Sequence, residues 1–250
     1  MSAKIICVAN QKGGVGKTTT CVHLAHGLAL AGKSVLILDL DPQGQCAIAL
    51  GCRQEPGVFN VLVVETPIEQ VIRPVRDSLW LLPGDKKTGT AQRLTLVENR
   101  RISHLAEIVR PIARNGMDFI IIDTPPSVGG LQEMALWASH MVIIPCATDY
   151  LAAAGVSKLI ETLDVLRLEQ RWAGKIFGIL PTFFDDITRE SAATLGDLTK
   201  RFGQALLKPI RRATLLRECA ALGKTVYEVN GKSRTALEYS HLVYGILKAR

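Results

Sequence analysis

Several things are scarce in this 250-residue chain, and each scarcity excludes something. No apolar run approaches the roughly 20 residues that cross a bilayer; Phe119–Ile122 and Met141–Ile144 are the longest strand-like stretches. Met1-Ser2-Ala3-Lys4 enters a strand-like run at once, without the basic, apolar and small-residue segments of a secretory leader, so a cytosolic protein is expected. Aromatic residues are only 5% of the chain. The six cysteines, Cys7, Cys21, Cys46, Cys52, Cys146 and Cys219, include no C-x-x-C pair, which argues against a zinc ribbon or a disulfide framework. They are expected to be reduced, small buried hydrophobes. Linkers rich in Ser, Gly or Pro, internal repeats and low-complexity tracts are also missing, so residues 1–250 read as a single domain.

What is present is an alternation of buried strands and helical segments. Lys4–Ala9, Ser34–Leu40, Leu79–Leu82, Asp118–Asp123, His140–Pro145 and Lys175–Thr182 read as strands, with a short one at Ala205–Leu207. Helices are expected at Lys17–Ala31, Arg100–Ala113, Leu131–Ala138, Leu151–Gln170, Ser191–Phe202, Thr214–Leu222 and Ser233–Leu247. Residues 52–115 are the least legible. Strands that are apolar throughout, each followed by a helix, imply an α/β fold: a doubly wound, mostly parallel sheet with helices on both faces.

Lys12-Gly13-Gly14-Val15-Gly16-Lys17-Thr18-Thr19 lies between the first strand and the first helix. Glycines let backbone N–H groups curl around phosphate oxygens, and the helix start turns its positive end toward the same anion. Such a P-loop assigns Lys17 to the β- and γ-phosphates and the Thr18 hydroxyl to Mg²⁺. Gln11 stands where the general pattern has its first glycine, and Lys12 is an additional cation at the mouth of the loop. Two acidic segments follow. Asp39-Leu40-Asp41-Pro42-Gln43-Gly44 continues the second strand, where a carboxylate can orient the attacking water. Phe119-Ile120-Ile121-Ile122-Asp123 ends in the acid that holds Mg²⁺ in a Walker B strand. Thr124-Pro125-Pro126-Ser127 is a rigid turn placed to sense the γ-phosphate.

These segments resemble the ParA/MinD family of deviant-Walker-A ATPases, and most closely its short ParA-like partition members. Asn10–Thr19 is similar to the family's deviant loop, Asp39–Gly44 to its D-x-D-P-Q-G box, and Ile122–Ser127 to its Walker B and switch. Val142–Tyr150, Leu180–Phe184, Gly223-Lys224-Thr225 and Ser233–Ala236 are similar to later segments. The resemblance implies slow, partner-stimulated ATP hydrolysis with ATP and Mg²⁺ as cofactors, and an ATP-bound homodimer. In that dimer Lys12 reaches the partner's ATP, Asp39 serves hydrolysis, and Thr18, Asp39 and Asp123 serve the metal. Gln43 and Pro181 join the nucleotide contacts by the same resemblance.

Charge bears on the partner. The net +7 is uneven: residues 1–157 carry 14 Lys/Arg against 13 Asp/Glu, and residues 158–250 carry 16 against 10. A basic half suggests a polyanion partner; the resemblance to the family's DNA-riding members implies that it is non-specific DNA of the nucleoid, held by Lys/Arg contacts to phosphates. The candidate contacts are Arg189, Lys200, Arg201, Lys208, Arg211, Arg212, Arg217, Lys232 and Arg234. The family pattern is displaced at two of its arginines, with Leu215 at one place and Arg189 late at the other. The loop starts at residue 10, so no helix-turn-helix precedes it and operator reading is not expected. The C-terminal Leu242, Ile246 and Leu247 read as core rather than as a membrane anchor of the MinD kind. An iron–sulfur role lacks its cysteines near Thr124–Gly130, and a metabolic ATPase of the same fold stays open. An activator of ParB-like role is implied; the cargo, whether plasmid, chromosome or a protein body such as a carboxysome, is not.

Overall fold

Along Phe119–Asp123 every residue is buried, and alternate side chains enter different cores. Ile120 and Ile122 face one layer; Phe119 and Ile121 face the other. Leu36 and Leu38 against Val35 and Ile37, and Ile5 and Cys7 against Ile6 and Val8, divide the same way. A period-two chain with both faces apolar is stable only if helices cover both sides. The computed structural model, which describes residues 2–126, 129–149 and 152–249, has that architecture.

Seven strands form one sheet: β1 (Lys4–Val8), β2 (Val35–Asp39), β3 (Arg73–Arg76), β4 (Leu79–Leu82), β5 (Phe119–Asp123), β6 (Met141–Ala147) and β7 (Lys175–Thr182). Their order is β3-β4-β2-β5-β1-β6-β7, parallel except for the β3–β4 hairpin at one edge. Three helices cover the first part of the chain, α1 (Lys17–Leu30), α2 (Gln45–Ala49) and α3 (Val58–Leu62), followed by α4 (Ile68–Val71). Then come α5 (Thr88–Val97), α6 (His104–Arg114), α7 (Leu131–Ala138) and α8 (Ala152–Glu169). The last are α9 (Arg189–Phe202), α10 (Thr214–Ala221), α11 (Val226–Asn230) and α12 (Arg234–Lys248). One layer packs α3 through α9 on the sheet, and the other packs α1, α2 and α10 to α12.

Four sequence expectations are corrected. Ala205–Leu207 is not a strand: Gly203–Ala205 is a 3₁₀ turn, and Leu206 makes only an isolated bridge with Ile179. The segment runs beside β7 through Leu207 N to Ile179 O and Ile210 N to Pro181 O, but Pro209 has no N–H to continue a ladder. The expected helix Arg100–Ala113 starts at His104, and a separate helix, α5, precedes it. Helices α2, α3, α4 and α11 and strand β3 have no counterpart in the expectation, because segments of four or five residues show no resolvable period. Leu242 and Ile246 are core as expected, whereas Leu247 is 37% exposed on the outer face of α12. Leu151, the expected start of the long helix, and Tyr150 lie outside the described residues. Among the described residues, no helix is long and apolar enough to cross a membrane.

Candidate nucleotide site

The loop after β1 is pinned on both flanks before any ligand arrives. Asn10 Nδ2 donates to Pro145 O at 2.7 Å, and its Oδ1 accepts from Lys12 N at 2.9 Å. On the other flank Thr182 Oγ1 donates to Val15 O at 2.8 Å. Gly14 and Gly16 have φ of 71° and 86°, backbone that a side chain would strain, and Gly16 caps α1. Apart from the residues next to them in the chain, no protein atom lies within 4 Å of where a Cβ would stand on Gly13 or Gly14, so there is open space beside the loop there. Lys17 opens α1 and is 6% exposed, with Nζ donating to Lys12 O at 3.1 Å. Burial lowers its pKa, and Asp123 and Asp41 oppose that shift.

The acids meet because of strand register. In the β2–β5 ladder Asp39 is paired with Asp123, and in the β1–β5 ladder Val8 is paired with Asp123. Both acids therefore stand at the carboxyl edge of the two central neighbours of the loop, and both are fully buried. Asp39 accepts from Asp41 N at 3.0 Å and from Cys46 N at 3.1 Å. Asp123 Oδ2 accepts from Thr18 Oγ1 at 2.6 Å and from Cys46 Sγ at 3.5 Å, while its Oδ1 has no partner. Burial raises the pKa of both carboxyls, and at Asp39 the neighbouring Asp123 adds to the rise. Such a pair with one unpartnered oxygen is short of positive charge. A divalent cation beside Thr18 supplies it, so Thr18 and Asp123 fit Mg²⁺, and the open glycine loop fits the phosphates.

The box that carries Asp39 is held by a close backbone approach. A Cβ on Gly84 would lie 2.4 Å from Asp41 O and 3.2 Å from Asp39 Cγ, and one on Gly44 would lie 2.3 Å from Gly84 O. Gly84→Ala is therefore expected to destabilise the protein by about 2 kcal/mol or more by overpacking. It should also displace Asp39, so that urea denaturation and steady-state hydrolysis both fall; a variant with unchanged denaturation midpoint would contradict this packing.

Not every expected site residue points at the loop. Lys12 lies at the mouth, but its Nζ is held by Asp149 of the same chain at 2.7 and 2.6 Å. Asp149, with Gly14, Ala147, Thr148, Phe183 and Arg212, lines a cleft of about 320 Å³ beside the loop. Gln43 is exposed, and its carbonyl accepts from Gln54 Nε2. Pro181 is a buried residue of β7 next to Thr182, with its carbonyl bound to Ile210 N. Thr124 Oγ1 donates to Val8 O, Pro125 O accepts from Gln132, and Ser127 lies outside the described residues. The sequence reading missed Asn10, Cys46, Asp149 and Thr182 as site residues. Asn10 and Cys46 had local signals, Asn10 as the first residue of the deviant loop and Cys46 two residues after the Asp39–Gly44 box.

The basic candidates divide into two groups. Arg211 bonds Asp186 and Glu238, and Arg234 bonds the same two acids. These four charges tie the segment after β7 to α12, which leaves neither arginine as a free cation. Arg201 is paired with Asp197 on α9. Arg212 lies over the Phe183 ring at 6.0 Å, on the cleft beside the loop. Arg189, Lys200, Lys208, Arg217 and Lys232 are exposed and make no ion pair among the described residues.

The glycine loop between β1 and α1, with acids at the ends of β2 and β5, defines a P-loop nucleoside triphosphatase. A family model described as an AAA domain matches residues 3–174. The chromosome-partitioning ATPase Soj of Thermus thermophilus is 36% identical over 97% of this chain and 94% of its own. The chromosome partitioning protein ParA of Myxococcus xanthus is 34% identical over 98% of this chain and 88% of its own. Cobyrinic acid a,c-diamide synthase of Mycobacterium smegmatis, solved with an ATP analogue and magnesium, superposes with a TM-score of 0.84 at 29% identity, covering 98% and 95%. The chain belongs to the ParA/Soj family of Walker-type ATPases. It is an ATPase, and ATP and Mg²⁺ are its cofactors.

Proposed function

We propose that this protein is a nucleotide-timed positioning switch: it dimerises on ATP, rides non-specific DNA of the nucleoid in that state, and releases on hydrolysis. The observation that carries this reading is Lys12, a second loop lysine whose ammonium lies at the open mouth rather than on its own phosphate cradle. In the monomer it is parked on Asp149. On ATP binding it exchanges that carboxylate for phosphate oxygens of the facing subunit. Lys17 and the loop amides bind the triphosphate, Thr18 and Asp123 hold the metal, and Asp39 orients the water. Mg²⁺ held by Thr18 and Asp123 would supply positive charge to the phosphates during transfer. Lys12→Ala is expected to keep ADP affinity and lose the ATP-dependent dimer by light scattering; a normal dimer would remove Lys12 from the interface.

DNA binding is supported by the unpaired cations and by the kinship with chromosome-partitioning ATPases. The test uses a hydrolysis-deficient Asp39→Ala protein on non-specific duplex DNA, with ATP and with ADP, across a salt series. Binding with ATP only, weakening steeply with salt, is expected. Glutamate at Lys208, Arg217 or Lys232, taken singly, should lower the log–log salt slope by about one wherever that side chain meets a phosphate. Substitution of Arg211 should instead loosen α12, since its charge is already used. A ParB-like activator would stimulate turnover and choose the cargo, and residues 1–250 act as one domain. The likeness to the diamide synthase favours a second reading, a metabolic ATPase with a second substrate in the cleft beside Gly14. Absence of DNA binding in both nucleotide states would move the assignment there.

A further inference from the structure

Beneath the loop the chain places a thiol against the two buried acids. Cys46, the second residue of α2, Asp39 and Asp123 offer ligand atoms that all lie within 4.8 Å of one another, and all three residues are fully buried. We propose that Asp39, Cys46 and Asp123 form a binding site for a thiophilic divalent cation, zinc, at the floor of the nucleotide loop. Mg²⁺ takes oxygen ligands and has no use for a sulfur, so Cys46 makes this a different site that shares two residues with the magnesium region.

The geometry suits the softer ion. Tetrahedral zinc, with Zn–S of about 2.3 Å and Zn–O of about 2.0 Å, sets sulfur and oxygen ligands about 3.5 Å apart. Cys46 Sγ and Asp123 Oδ2 are 3.5 Å apart. The other Asp123 oxygen, Oδ1, is buried without any partner, so the carboxylate has room for one cation, zinc in the nucleotide-free protein or Mg²⁺ with nucleotide. Asp39 is already oriented by two backbone N–H groups, from Asp41 and Cys46, the support that a metal-ligating carboxylate usually has. Half-buried Thr18 hydrogen-bonds Asp123 Oδ2, and a water or a phosphate oxygen completes the fourth position. As the ion enters, the Cys46 S–H proton passes to solvent and a metal–sulfur bond replaces it. Zinc held there would occupy both acids and arrest turnover. Cys7 and Cys21, also buried nearby, are not in the ligand set.

The inference shares residues with the ATPase reading, so its test avoids turnover. Nucleotide-free protein, stripped with chelator, is titrated with Cd²⁺ while thiolate-to-cadmium absorption is followed. One equivalent should bind in the wild type. Cys46→Ser should weaken binding at least tenfold, roughly the least that loss of a sulfur ligand costs, and Cys52→Ser, a change at the half-buried thiol, should leave it unaltered. Wild-type absorption in Cys46→Ser would overturn the site. Because a core substitution can unfold the chain, zinc-loaded wild type is also examined by X-ray absorption at the zinc edge. One sulfur with oxygen neighbours is expected; no sulfur, or two or more, overturns the assignment. Failure to hydrolyse ATP would leave this result standing, and failure to bind the soft metal would leave the ATPase reading standing.

Discussion

Lys17→Ala should lower ATP affinity about 100-fold or more while leaving the fold intact. Two charge-assisted hydrogen bonds to phosphate oxygens, at about 1.5–3 kcal/mol each, account for that magnitude. The structure adds a second reason for a large effect. Lys17 is the buried cation that faces Asp123, and without it a triphosphate enters a pocket whose floor carries two carboxyls and no compensating ammonium. Fold stability should change less, because in the free protein Nζ makes one hydrogen bond, to the Lys12 carbonyl at 3.1 Å, besides its charge attraction to Asp123 and Asp41. Equilibrium binding of a fluorescent ATP analogue, beside a urea denaturation curve, separates the two. Wild-type affinity would mean that the phosphates lie elsewhere.

Asp39→Ala should do the opposite to binding and more to chemistry: ATP is retained, and turnover falls about 100-fold, the scale of a lost proton-accepting group. Burial and Asp123 both raise the pKa of Asp39, which makes its carboxylate a better proton acceptor than a solvated one. Removal relieves the repulsion with Asp123 but orphans two amides, from Asp41 and Cys46. These effects oppose each other, each on the scale of about 1–3 kcal/mol, so the stability change is small. Single-turnover phosphate release with bound ATP measured in parallel checks the pair. Hydrolysis at the wild-type rate would take Asp39 out of the reaction.

Much of this was legible from local pattern. Buried strands such as Phe119–Asp123 are long enough to show their apolar run, and the glycines of the loop have one conformational use. Between Cys52 and Ala113 only strand β4 and most of α6 were legible; α3 and α4 were not, because they span five and four residues. A period of 3.6 does not register in a segment that short, and tertiary burial of Val58, Val61 and Ile68 holds these turns instead. Pro209 could have warned against the strand at Ala205–Leu207, since it removes the donor that a continued ladder needs.

Charge was the poorest guide. Arg211 and Arg234 stand among the candidate polyanion contacts; in the folded chain both pair with Asp186 and Glu238, 25 and 27 residues from Arg211, a pairing that composition does not show. Lys12 shows the same gap: its place in the loop was plain, but its resting partner, Asp149, is 137 residues away.

By itself the sequence determined the fold class, the loop with Lys17 and Thr18, and the order of the acids, since backbone conformation and burial period are encoded within a few neighbours. Only the tertiary structure decided that Asp39 stands beside Asp123, that Cys46 joins them, and which cations are free. Those facts depend on strand register and on ion pairs closed across the chain, where the energy lies between residues that sequence distance does not relate.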